Sequence, residues 1–269
     1  MSPATDNQTV FVHGETPPSG RGVVAESPGG VLRASPNAGS GDAPPPSERD
    51  QTLGEEIFNA ISHGIGALLA VACLVVAVVF SCYSSPGDRV WNIVGTSIYG
   101  TTMFLLYLFS CLYHAIVPPR AKAVLNYFDH CSIYLLIAGS YTLVCLGGIR
   151  PWHPGWAWSI FGVEWLLAIL GIVFQCLFIN RFRILSNATY LAMGWMMLVA
   201  LYPIYDAMGL MPLVWISVGG IFFSVGVYFY MRKEKKFMHA IWHLFVLAGT
   251  LVQYFTFLHY IVLHPRVRG

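Results

Sequence analysis

The chain has 269 residues, 56% of them hydrophobic and only 10% charged, with a formal net charge of +2. A soluble domain carries about 25% charged residues. At a mean hydropathy of +0.61, the composition excludes a water-soluble globule and a wholly disordered chain, and reads as an all-α membrane protein that crosses the bilayer several times.

Residues 1–52 form a segment of a different kind. The first 50 hold eight prolines and seven glycines and have no long apolar run. Such a segment cannot bury enough surface to offset its ordering entropy, so it is expected to be disordered. It lacks the apolar stretch of a secretory signal peptide, which leaves the first hydrophobic helix to act as its own insertion signal.

The remainder, 53–269, is expected to form one helical membrane domain. Uncharged stretches run 57–87, 90–119, 130–149, 184–205, 207–231 and 237–265, and a seventh, 151–180, is interrupted only by Glu164. About 20 apolar residues span the hydrocarbon core as a helix. The pattern therefore predicts a seven-transmembrane helix bundle, with helices near 60–82, 90–115, 128–148, 156–179, 186–205, 212–231 and 238–263. Pro86-Gly87, Pro118-Pro119, Pro151, Pro154 and Pro212 fall at the joints, where helix breakers belong. With a cytoplasmic N-terminus and an external C-terminus, nine Lys and Arg residues lie inside and four outside. The inner set runs from Arg49 through Arg120, Lys122, Arg181 and Arg183 to Arg232, Lys233, Lys235 and Lys236; the outer set is Arg89, Arg150, Arg266 and Arg268. That asymmetry favours this orientation. Trp152, Trp156 and Trp158 mark an outer aromatic belt.

Nine histidines in so charge-poor a chain are the unusual feature, because ionisable groups inside a bilayer are costly and mark sites. In this topology His63, His114, Asp129, His130, His239 and His243 all fall toward the inner end. His153, His259, His264, Asp206 and Glu164 fall toward the outer end, with Glu164 expected to be hydrogen-bonded inside the bundle or close to the outer surface. His239 and His243 are four apart, one turn on the same helix face, and can present two imidazole nitrogens to one ion. His114 is the best third ligand by position, and three histidines with water are an established zinc arrangement. Ser110 lies one turn before His114, and Asp129 can hydrogen-bond a metal-bound water or an imidazole N–H. An HxxxH pair also occurs by chance on amphipathic helices, and helix-end histidines can sit among headgroups. His130 points about 100° from Asp129, toward solvent or packing. Cys111 and Cys131 are alternative soft ligands, or small packing residues. None of the six cysteines forms a CxxC pair, so neither a disulfide framework nor a zinc knuckle is indicated. Gly64, Gly66, Gly139, Gly219 and Gly220 read as close helix contacts. The small net charge gives no reason to expect a nucleic-acid partner.

Four motifs carry a resemblance. Glu55-Glu56-Ile57-Phe58-Asn59-Ala60-Ile61-Ser62-His63-Gly64, Ser110-Cys111-Leu112-Tyr113-His114, Phe128-Asp129-His130-Cys131-Ser132-Ile133-Tyr134 and His239-Ala240-Ile241-Trp242-His243-Leu244-Phe245 resemble, in order and spacing over 53–263, those of the hemolysin III group. That group belongs to the progestin and adipoQ receptor superfamily, with the adiponectin receptors. The resemblance implies seven helices with a cytoplasmic N-terminus and zinc held by His114, His239 and His243. It further implies Asp129 contacting the zinc through water and Ser110 beside the site. Family members often carry a histidine where this chain has Gln253, a departure expected to alter the polar lining deeper in the bundle. Glu56, Asn59 and His63 match the opening motif without an assigned role; ordering the inner end is the expectation for them.

Three functions follow as expectations. The first is a zinc-dependent hydrolase of ceramide-like lipid amides, in which Asp129 takes a proton from water and Ser110 orients it or stabilises an oxyanion. The second is a receptor-like or membrane-homeostasis protein in which zinc clamps helices together. The third is a hemolysin-type pore, ranked last because the helices carry too few charges to line a water-filled channel. Membrane lipids are the expected partners, in the cell membrane or an internal one.

Overall fold

A computed structural model describes residues 51–178, 182–232 and 234–265. The proline-rich tail expected to be disordered lies outside the described residues, as do Arg181, Lys233, Arg266 and Arg268 of the charge count.

Every regular element among the described residues is helical. Helix α1 (Leu53–Ser81) opens with a capping box, in which the Thr52 side chain accepts from the Glu55 backbone N–H and the Glu55 carboxylate reaches back to Thr52. That exchange satisfies donors which every helix start leaves open. Helices α2 (Pro86–Ala115), α3 (Pro119–Leu143) and α4 (Pro154–Phe178) each begin at a proline, where the missing N–H costs nothing and φ is already helical. Short α5 (Arg183–Gly194) and α6 (Leu201–Met208) follow, then α7 (Leu210–Tyr230) and α8 (Met238–Phe257). Wider π-turns extend α3 through Ile149 and α8 through Leu263.

Six of these helices, counting the π extensions, are long and apolar enough to cross a membrane. A further pair, Ile184–Leu198 and Leu201–Met208, passes the same test together but is bent by 50°. The expected seven crossings correspond to these six helices plus the bent pair counted as one span. Pro203 explains the break: it withholds the N–H that would bond the Val199 carbonyl and crowds that carbonyl sterically. The freed backbone finds a partner on α3, because the Tyr141 hydroxyl donates to the Gly194 carbonyl at 2.9 Å and accepts from the Met197 N–H at 2.7 Å. A second difference concerns α3. It begins at Pro119, some two turns before the predicted 128, because Arg120 and Lys122 interrupt the apolar run without interrupting the helix.

Helices adjacent in sequence pack on one another, and α8 returns to pack on α1 as well as on α7. The interior is filled by Tyr99, Met103, Tyr107, Leu143 and Phe257, while Leu68, Leu166, Leu170 and Ile221 point outward. Exposed leucine and isoleucine along spanning helices suit a hydrocarbon solvent. Close approach is met by glycine. A Cβ on Gly66 would lie 2.6 Å from the Tyr107 ring, and one on Gly139 would collide with the Thr102 side chain, whereas Gly220 meets only ordinary contact.

The two ends of the bundle differ. At one, Arg150 pairs with Asp88 at 3.1 Å and lies over Trp91, Trp91 meets Trp158 edge to face, and His153 pairs with Asp206 at 2.8 Å. His114 stands 26 residues beyond Asp88 on α2, about 39 Å along a helix axis, and so belongs to the other end.

Candidate metal centre

The site is built from the C-terminal turns of α2 and the first turns of α8, backed by the start of α1. His114 comes last but one in α2, and His239 and His243 occupy successive turns of α8. Both His114 and His243 are buried. Their Nε2 atoms converge: His239 Nε2 lies 3.3 Å from that of His114 and 3.1 Å from that of His243. One ligand atom from each of the three falls within 4.8 Å of the other two, the one group of this kind among the described residues.

The far nitrogens settle which atoms face inward. His114 Nδ1 sits 2.7 Å from a Glu56 carboxylate oxygen. A carboxylate only accepts, so Nδ1 carries the proton, and in the neutral ring Nε2 is then the atom that presents its lone pair to the cluster. His243 Nδ1 faces the Ser62 hydroxyl at 3.4 Å. A single proton can bridge only one of the two Nε2 contacts around His239, whereas a cation satisfies all three lone pairs. The separations agree. Two imidazole nitrogens at the usual zinc distance of about 2.0–2.1 Å and a tetrahedral angle lie roughly 3.3 Å apart. The three histidines therefore fit a metal ion.

His63, expected at the same end, stacks on His243 with ring centroids 3.6 Å apart and planes 9° from parallel, and meets Tyr107 edge to face. It backs the His243 ring. Ser110 is buried, and Asp129 is mostly so. Both line one cavity together with His63, His130, His239 and His243. Beyond this polar end the wall is mostly aliphatic and aromatic, from α3, α5, α7 and α8, and includes Tyr141, Trp195 and Phe223. Gln253, at the position of the family histidine, lines the same cavity deeper in and lies against Gly219. His130 is held within the bundle, its Nδ1 at 2.9 Å from the Asn126 carbonyl and its own carbonyl accepting from Tyr190. Cys111 packs against Gly64, the packing role foreseen for it. Glu164 departs from expectation: it is fully buried, yet neither carboxylate oxygen has a hydrogen-bond partner among the described residues.

Sequence reasoning left Glu56 without a role, and the structure places it against His114 with Lys122 on its other oxygen at 2.9 Å. Asn59, fully buried, donates to Gln51 instead. An acid two turns ahead of a histidine within one motif is the available signal, but its partner is 58 residues away.

An all-helical bundle of apolar spans with three imidazole nitrogens gathered at one end defines a polytopic integral membrane protein with a histidine site able to hold a metal ion. The chain belongs to the Haemolysin-III related family, whose family model matches residues 51–254. It is 43% identical over 215 residues to the hemolysin-3 homolog of Bacillus subtilis (strain 168), covering 80% of this chain and 98% of that protein. It is 40% identical over 212 residues to hemolysin-3 of Bacillus cereus, covering 79% and 94%. More distant is the human monocyte to macrophage differentiation factor, 27% identical over 232 residues and covering 83% and 91%. No solved structure matches.

Proposed function

We propose that this protein is a zinc-dependent hydrolase of ceramide-like lipid amides, with His114, His239 and His243 as the zinc ligands. The observation that carries the reading is the convergence of three Nε2 atoms at the polar end of an otherwise apolar cavity. Three neutral imidazoles leave the fourth position of a tetrahedral zinc open, as catalytic sites require. Bound there, zinc supplies Lewis acidity and makes water a nucleophile near neutral pH. Asp129, on the same cavity wall, accepts the proton that the attacking water loses. Ser110 donates to the carbonyl oxygen as negative charge develops on it. The aliphatic wall takes the hydrocarbon chain and keeps bulk water out. Among the described residues, Arg120, Lys122, Arg232, Lys235 and Lys236 flank the histidine end, against Arg89 and Arg150 at the other, which supports a cytoplasmic N-terminus and a site toward the cytoplasmic side.

The test is zinc content together with ceramide turnover by the purified protein. Asp129→Asn is expected to keep its zinc and lose turnover by at least about a hundredfold. Full zinc occupancy in the wild type with no lipid amide hydrolysed overturns the enzyme reading. That outcome favours the second reading, zinc as a clamp in a receptor-like protein. The second reading has its own support, because the three histidines come from two different helices, α2 and α8. A clamp tolerates both Asp129→Asn and Ser110→Ala.

A further inference from the structure

The opening motif of α1 holds two consecutive acids, and each reaches a different ligand-bearing helix. Glu56 Oε2 accepts from His114 Nδ1 at 2.7 Å, on α2. Glu55 Oε1 accepts from the Phe237 backbone N–H at 2.7 Å. Phe237 is the residue from which α8 starts, and its φ of 61° makes it the one non-glycine with positive φ among the described residues. A bulky residue in the left-handed region is strained and persists only where its surroundings hold it. The Glu55 contact is such a hold, and His239 follows two residues later. Both carboxylates are themselves fixed. The other oxygen of Glu55 is taken by Thr52 in the capping box at 2.9 and 2.8 Å, and that of Glu56 by Lys122 at 2.9 Å.

We infer that Glu55 and Glu56 are the positioning residues of the metal centre: Glu56 locks His114 in the tautomer that aims Nε2 at the metal, and Glu55 locks the start of α8 so that His239 and His243 face it. Neither acid is a ligand. Lys122 holds the other oxygen of Glu56, so the chain of contacts runs from Lys122 through Glu56 to His114. A carboxylate behind a histidine also raises the basicity of the ligating nitrogen, and losing such a partner weakens metal binding by about 10–100-fold. The inference rests on the zinc reading above for its consequence, but not for its geometry.

The experiment measures zinc affinity by chelator competition, the visible spectrum of the cobalt-substituted protein, and the 15N shifts of His114 in the metal-free protein. Glu56→Ala is expected to weaken zinc binding by about 10–100-fold, to change the cobalt spectrum, and to convert His114 from one tautomer to a mixture. Glu56→Gln, which can still accept from Nδ1, is expected to retain the tautomer and recover part of the affinity. Lys122→Met gives a smaller loss. Glu55→Ala weakens binding with the His114 tautomer intact, which separates the two roles and excludes a general loosening of the bundle. Zinc affinity within twofold of wild type and an unchanged tautomer in Glu56→Ala overturn the inference. Should the wild type take up neither zinc nor cobalt, the metal reading falls, while the 15N arm still decides whether Glu56 sets the tautomer. Should Glu56→Ala not fold, Glu56→Gln and Lys122→Met carry the test.

Discussion

His239 is the central nitrogen of the cluster, because its Nε2 makes both short contacts. His239→Ala leaves His114 and His243 without the atom between them. Zinc sites with four protein ligands are worth about 10–16 kcal/mol, or roughly 2.5–4 kcal/mol for each ligand. At about 1.4 kcal/mol per tenfold, losing His239 should weaken zinc binding by about 60- to 700-fold. The assay is zinc per mole of detergent-purified protein, followed by competition with a chromophoric chelator. His153→Ala is the matched control: it also removes an imidazole, and breaks the 2.8 Å pair with Asp206, but at the opposite end of the bundle. The expected result is full zinc in the control and little in His239→Ala. Equal zinc content and affinity in the two variants would refute the assignment of the ligands.

Acidification should release the metal, since zinc competes with protons for the same imidazole nitrogens. Zinc is expected to be retained at the alkaline end of a dialysis series and lost at its acidic end. Gly66→Ala would place a methyl 2.6 Å from the Tyr107 ring; overpacking of this kind costs about 1–3 kcal/mol and should lower the thermal midpoint. Gly162→Ala, with nothing within 4 Å of the new Cβ, should leave it unchanged. Thr52→Ala removes the hydroxyl half of the capping box, at about 1 kcal/mol, whereas Glu55→Ala removes the carboxylate half and the Phe237 contact and should cost more in the same thermal scan.

The gathering of the three histidines was legible because their geometry is local. A spacing of four places His239 and His243 on one face whatever the fold, and the helix-end position of His114 follows from where the uncharged stretch stops. The six long spans were legible for the same reason, since each is an apolar run between charges. Glu56 was not, because its partner lies on another helix and no periodicity relates residues 56 and 114. The late prediction for α3 came from reading charge as the end of a helix, when Arg120 and Lys122 end only the apolar part of one. Pro203 stood in plain view, but an unbroken apolar run outweighed it. Glu164 was expected to be bonded inside the bundle or near its surface, and only packed coordinates show its carboxylate enclosed with no partner.

The bent pair has a consequence for its own backbone. Arg183–Gly194 rises about 18 Å and Leu201–Met208 about 12 Å, each well short of the roughly 30 Å of hydrocarbon. Neither piece enters a bilayer as a finished helix on its own terms, and between them lie backbone groups that lipid cannot satisfy. Tyr141 satisfies two of these groups from α3, a helix synthesised earlier. The bent pair therefore draws on a side chain from a helix that precedes it in the chain: Tyr141 supplies two hydrogen bonds that hydrocarbon cannot.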